Sequence, residues 1–119
     1  MMKTFLFVLR KPSYSGLYVQ EMLDIILTTA AFEQNVTILL LDDAVFHLKN
    51  HQNAFNSAYK NTATLFSLLP TMDVHAIFVE SQSLIERGLG ADMLTLPVQK
   101  IARDDITAFI SQFDRVFSG

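Results

Sequence analysis

Two adjacent carboxylates and two histidines at helical spacing are the residues of this sequence best suited to chemistry. Asp42 and Asp43 close an unbroken apolar run, Val36 to Leu41; His47 stands four residues after Asp43, and His51 four further on. Neighbouring acids can bind a magnesium ion together with a third carboxylate and water. An i, i+4 series of Asp and His on one helix face can ligate zinc. Asn50 and Asn53 argue against a helix running through His51, and His75 opens a strand elsewhere. An N-cap opening a short helix over Ala44 to Leu48, with a solvated neighbour, explains the acids more simply. A phosphate-accepting receiver domain needs its acidic pair after the first strand and an Asp after the third. Here the pair follows the second strand and Glu80 follows the third.

The segment Arg10 to Gly16 holds Ser13, Tyr14 and Ser15, which could contact a flavin phosphate. It has one glycine and neither G-x-G-x-x-G nor G-x-x-x-x-G-K-[ST], so a backbone cradle is poorly supported and its serines are ordinary turn residues. No Ser-His-Asp grouping and no nucleophile elbow is present; Ser81 and Ser83 serve better as helix caps. The sequence contains no cysteine. That removes disulfides, thiolate metal sites and thiol nucleophiles, and it fits a reducing compartment. Neither a metal nor a cofactor is expected, and no catalytic residue is assigned.

The elements that would position these residues alternate regularly. Residues 3–9 form a short apolar run of strand length. Leu17 to about Gln34 has apolar residues at Val19, Met22, Leu23, Ile26 and Ala30, a helical spacing, while Ile25, Leu27 and Phe32 widen the apolar surface, so that this helix should be covered on more than one side. Val36 to Leu41 is continuously apolar and suits a strand buried on both faces of a parallel sheet. Ser57 to Leu69 reads as a second long helix stopped by Pro70, and Val74 to Val79 as a third strand. Ser83 with Glu86 three residues later matches a capping box, Gly88 suits a helix end, and a short helix is expected over Leu84 to Arg87. Val98 to Ile101 could be a fourth strand. Asp104 and Asp105 precede a terminal helix with Ile106, Phe109, Ile110 and Phe113 on one face, and Asp114 to Phe117 is at best a short final strand. Alternation of this kind predicts an α/β fold: one domain over residues 1–119, a mostly parallel five-stranded sheet with helices on both faces. Strand order is not readable from it.

Composition bounds the partners. The chain has 119 residues, 50% of them hydrophobic and 18% charged, with ten phenylalanines and a formal charge of −3. Small soluble domains average about 25% charged residues, so apolar surface is expected to be left over for other chains. There is no basic stripe to neutralise phosphates, and no direct grip on nucleic acid is expected. The run Phe5 to Leu9, ended by Arg10-Lys11-Pro12, is shorter than a secretory core, and no apolar stretch approaches the ~20 residues of a membrane span. A cytoplasmic protein without a membrane contact is expected. As interface residues the irregular middle offers Val45, Phe46, Phe55, Tyr59 and Phe66, where burial in the sheet does not obviously claim them.

An ordered set of segments resembles a known family. Ser15-Gly16 through Leu23-Asp24, Leu27 to Phe32, Asp42-Asp43-Ala44-Val45-Phe46-His47-Leu48, Ser83-Leu84-Ile85-Glu86-Arg87-Gly88-Leu89 and Phe113-Asp114-Arg115-Val116 together resemble the DsrE/DsrF/DsrH superfamily, and within it the TusC (DsrF-like) branch. That branch typically follows its acidic pair with Gly-Val-Phe-Gln-Leu; here Ala44 replaces the glycine and His47 the glutamine. The resemblance implies a DsrEFH-like fold and membership of a hetero-oligomer with TusB-like and TusD-like subunits. Such complexes relay persulfide sulfur from a TusA-like donor to a TusE-like acceptor, toward 2-thiolation of the tRNA wobble uridine. The transferring cysteine belongs to the TusD-like subunit, just after its third strand. Glu80-Ser81 occupies that neighbourhood here, and neither residue forms a persulfide. The implied role is a non-catalytic subunit that scaffolds or shields the cysteine-bearing one. The residues alone leave two rivals: a stand-alone flavodoxin-like domain binding flavin or another nucleotide through residues 10–16, and a scaffold that assembles with its own copies. Expressed by itself, the chain is expected to self-associate through its apolar faces.

Overall fold

The computed structural model describes residues 3–10, 17–32, 34–48, 69–72, 74, 76–90, 94 and 97–118. Five parallel strands form one sheet: β1 (Thr4–Leu9), β2 (Asn35–Leu40), β3 (Ala76–Glu80), β4 (Gln99–Ile101) and β5 (Arg115–Ser118), in the order β4-β3-β2-β1-β5. β1 and β2 pair from Thr4 with Asn35 to Leu9 with Leu40, and β3 continues the register with Ile77 opposite Ile38. Among the described residues the helices are α1 (Leu17–Ala31), α2 (Ser81–Glu86) and α3 (Ile106–Ile110), with 3₁₀ turns at Asp42–Leu48, Pro70–Met72 and Arg103–Asp105. Among the described residues no helix is long and apolar enough to cross a membrane.

Strand order explains which face each helix covers. From β1 to β4 the chain steps across the sheet in one direction; from β4 it returns past three strands to lay β5 beside β1. Right-handed crossovers put connections that step one way on one face, and a return step on the other. Alternate side chains of the central strands serve the two faces. Phe7, Leu9, Ile38, Leu40, Ile77 and Val79 join Leu23 and Ile26 of α1 and Leu84 of α2 in one core. Leu6, Val8, Leu39 and Leu41 lie on the opposite face, packed against Phe78 and against Ile106, Phe109, Ile110 and Phe113. The continuous apolar runs of β1 and β2 are thus the mark of strands with both faces covered.

Several boundaries differ from the sequence reading. α1 stops at Ala31 rather than Gln34. It is not covered on every apolar side within this chain: Leu23 and Ile26 are fully buried, whereas Ile25 is 47% and Phe32 73% exposed. The third strand starts at Ala76; Val74 instead turns back to hydrogen-bond the Leu69 carbonyl at 2.9 Å. The turn after β2 is a 3₁₀ helix starting at Asp42 itself, two residues before the expected helix. The weakest expected strand is real. β5 is an exposed edge held by four register pairs to β1 and by Phe117, whose ring stacks on Phe5 at 6.2 Å and on Phe7 at 5.1 Å. The long helix expected over Ser57 to Leu69 falls almost wholly outside the described residues.

Candidate functional site

In an open parallel sheet, ligands and chemistry collect beyond the carboxyl ends of the strands. There the chain assembles a knot of charged groups from four segments. β2 ends at Leu40, Leu41 follows, and the chain turns at Asp42 with φ 53°, a left-handed conformation that Asp tolerates better than most residues. The turn aims the Asp42 N–H at the Ser83 hydroxyl, 2.9 Å away. Ser83 is fully buried and donates its own proton to Glu80 Oε1 at 2.6 Å, so the hydroxyl is engaged as both acceptor and donor. Glu80 is the last residue of β3, and its carboxylate is almost completely covered. Arg103, arriving from the end of β4, donates to the same Oε1 from Nη2 at 2.7 Å and from Nε at 3.1 Å. The same guanidinium forks onto Glu86, with Nη2 to Oε1 at 2.8 Å and Nη1 to Oε2 at 3.3 Å, and its backbone N–H reaches Gln82 Oε1 at 2.8 Å.

A second arginine ties the acidic corner to α2. Arg87 Nε donates to Asp43 Oδ1 at 2.9 Å while Nη1 reaches the Ser83 carbonyl at 3.2 Å. Arg10 stands 3.7 Å from Asp42, a looser and more exposed pairing. The electrostatics follow from this geometry. The Arg103 hydrogen bonds hold Glu80 below its ordinary carboxylate value and outweigh the opposing effect of burial, with Ser83 adding to the shift. Glu86 is lowered mainly by the same arginine, and Arg103 is raised in turn, first by Glu86 and then by Glu80. Glu80 is therefore ionised at neutral pH and a weak base. Among the described residues the Ser83 hydroxyl touches one carboxylate, through Glu80 Oε1, and that oxygen also accepts two hydrogen bonds from Arg103. The arrangement fastens β2, β3, α2 and the start of the return crossover together.

The acid pair sits beyond β2 as expected, yet neither acid acts as a simple N-cap. Asp42 is inside its 3₁₀ helix, whose first turn is closed by the Ala44 N–H on the Leu41 carbonyl at 3.1 Å, and Asp43 pairs with Arg87. The capping box is also absent. α2 begins at Ser81 with Glu80 at its N-cap, which puts Ser83 inside the helix with its hydroxyl turned to the strand end, and Glu86 bonds Arg103 rather than the helix start. Gly88 does end the helix, at φ 67° with its N–H on the Ile85 carbonyl. Among the described residues there is no group of three or more acids and histidines that could hold a metal ion. Of the interface candidates, Val45 is fully buried in the first core, which corrects the expectation that burial would not claim it. Phe46 is half-buried against the same core. Phe55, Tyr59 and Phe66 lie outside the described residues, as do residues 11–16 of the nucleotide-loop alternative and the side chains of all three histidines. Sequence reasoning missed Arg103. Its only local signal is a cation beside two aspartates, and its partners lie 17 and 23 residues back.

The same overall fold is found among solved structures. The YchN protein of E. coli superposes with a TM-score of 0.77 over 99% of this chain and 100% of that one, at 15% identity, a likeness of fold alone. Sequence gives the family: residues 3–118 match the DsrE/DsrF-like family, and the chain belongs to it. Among its relatives, "Intracellular sulfur oxidation protein DsrF" of Allochromatium vinosum is 34% identical over 96% of this chain and 80% of that protein. A "Protein TusC homolog" of Pseudomonas aeruginosa is 30% identical over 99% of both chains, and another, of Pasteurella multocida, is 29% identical over 94% of this chain.

Proposed function

We propose that this chain is a non-catalytic, TusC-like subunit of a cytoplasmic sulfur-relay complex that serves 2-thiolation of tRNA wobble uridine, assembled with TusB-like and TusD-like chains. The observation that carries this reading is chemical. Passing a persulfide requires a thiolate, and the chain has no cysteine. At the end of β3 it has instead a carboxylate bound through Oε1 by Ser83 and Arg103. A relative's name points to sulfur oxidation and others to TusC; both fit a subunit that holds a cysteine-bearing partner in place rather than one that reacts. The subunit lends shape to a partner that carries the thiol, and reaches the TusA-like donor and TusE-like acceptor only through that partner.

The test is co-expression with its own cysteine-bearing paralogue and the third subunit. A stoichiometric complex is expected, together with loss of 2-thiouridine from tRNA when the gene is deleted and its return when the gene is restored. Purification of the other two chains as a functional relay without this one sinks the reading.

A further inference from the structure

The return crossover from β4 to β5, residues 102–114, crosses the second face of the sheet with its two ends held by polar contacts. At the front, Arg103 binds Glu80 and Glu86 through its guanidinium and Gln82 through its N–H. At the far end, Asp114 Oδ2 accepts the Thr4 N–H at 2.9 Å and the Thr4 hydroxyl at 3.1 Å, and the Asp114 N–H donates to Thr4 Oγ1 at 3.0 Å. Between the ends the grip is thin. α3 has five residues, none of them buried, and isolated helices far shorter than about 12 residues do not hold by themselves. Ile106, Phe109, Ile110 and Phe113 touch the sheet only as half-buried anchors, with Phe109 tilted over Phe78 at 4.7 Å between ring centres. An open groove of about 440 Å³ runs along this segment, bounded by Phe78, Ile101, Phe109 and Gln112.

We propose that residues 102–114 form a latched strap, which lifts from the sheet as one unit independently of β1 to β3, with Arg103 as the latch. Arg103 is the controlling end because it joins two carboxylates on two elements, one of them almost fully covered, whereas the Asp114 contacts are exposed. Segments with few buried contacts open locally at lower free energy than the core they lie on. Lifting the strap widens the groove and uncovers Phe78 together with the sheet face at Leu6, Val8 and Leu39. β5 stays in place, since its pairing with β1 and the stacking of Phe117 on Phe5 and Phe7 lie beyond the far end. The surface so exposed is apolar and appears only on opening.

Amide hydrogen exchange on the full chain reads this directly. Useful probes are the Asp105, Ser111, Gln112 and Phe113 amides, all hydrogen-bonded within the strap. Arg103→Gln should speed their exchange about tenfold more than it speeds the β1 and β2 amides, which report global unfolding. Arg103→Lys should fall between, because an ammonium cannot fork onto both carboxylates. Asp43→Asn breaks an ion pair of α2 that does not touch the strap, and should leave the probes as they were. In the unmodified chain, graded denaturant should open the strap before β1 and β2, a comparison that stands even if a variant fails to fold. Strap amides that open together with the sheet, or that ignore Arg103→Gln, overturn the proposal.

Discussion

Replacing Glu80 by Gln keeps the size of the side chain while removing the charge on which Ser83 and Arg103 converge. The carboxylate is covered and accepts three hydrogen bonds on one oxygen, two of them from the guanidinium. Hydrogen bonds to a charged group contribute about 1.5–3 kcal/mol. Arg103 is half-exposed and keeps Glu86, so part of that is recovered through solvent screening and the remaining pair. A net loss of about 2 kcal/mol results. For a chain of 119 residues that lowers the melting temperature by about 8 °C. Urea unfolding and thermal melts followed by far-ultraviolet circular dichroism measure both quantities. Combined with Arg103→Gln in a double-mutant cycle, the pair should couple by about 1 kcal/mol or more. A Glu80→Gln protein within about 0.5 kcal/mol of the original, or strictly additive effects, would show that the knot does not fasten the strand ends.

Three further outcomes follow from the same contacts. Glu80, Glu86 and Asp114 are all lowered in the folded chain, so the stability they add is fully present above their unfolded values (4.5 for Glu80 and Glu86, 3.8 for Asp114) and is lost as pH falls through the lower folded values; the urea midpoint should drop on acidification in that range, and less so in Glu80→Gln. Val45→Asp places an unpaired charge at a fully buried position and should abolish cooperative unfolding, whereas an intact melt would return Val45 to the interface candidates. Gly88→Ala meets no atom within 4 Å, so its cost is the left-handed backbone alone, about 1 kcal/mol by chemical denaturation.

What the sequence made legible was set by local pattern. β2 announces itself because both faces are buried, and an unbroken apolar run of that length has few other uses. The Asp42-Asp43 corner was visible for the same reason: charge ends such a run. What those residues do was not visible, because it depends on contacts made across the chain. Ser83 and Glu86 have capping-box spacing, but β3 delivers Glu80 to the N-cap and the helix starts three residues before a local pattern would place it. Arg103 reaches back over a whole crossover to find its carboxylates. β5 was almost invisible, since a four-residue edge strand is specified by the partner it finds, Phe5 and Phe7 more than a hundred residues away. Strand order likewise follows from where the crossovers land, which no window of sequence records. Ile25 and Phe32 show the remaining difficulty. An apolar face left outward by the single chain looks identical in sequence to one turned inward.

The most direct measurement is to follow the sulfur. The assembled complex, with its cysteine-bearing partner, would be loaded from a persulfide donor, and each subunit weighed intact by mass spectrometry. If this chain contributes shape alone, the added sulfur appears only on the partner, and the isolated chain transfers sulfur no faster than buffer. Sulfur bound to this polypeptide, or transfer speeded by it with no companion present, would overturn the assignment.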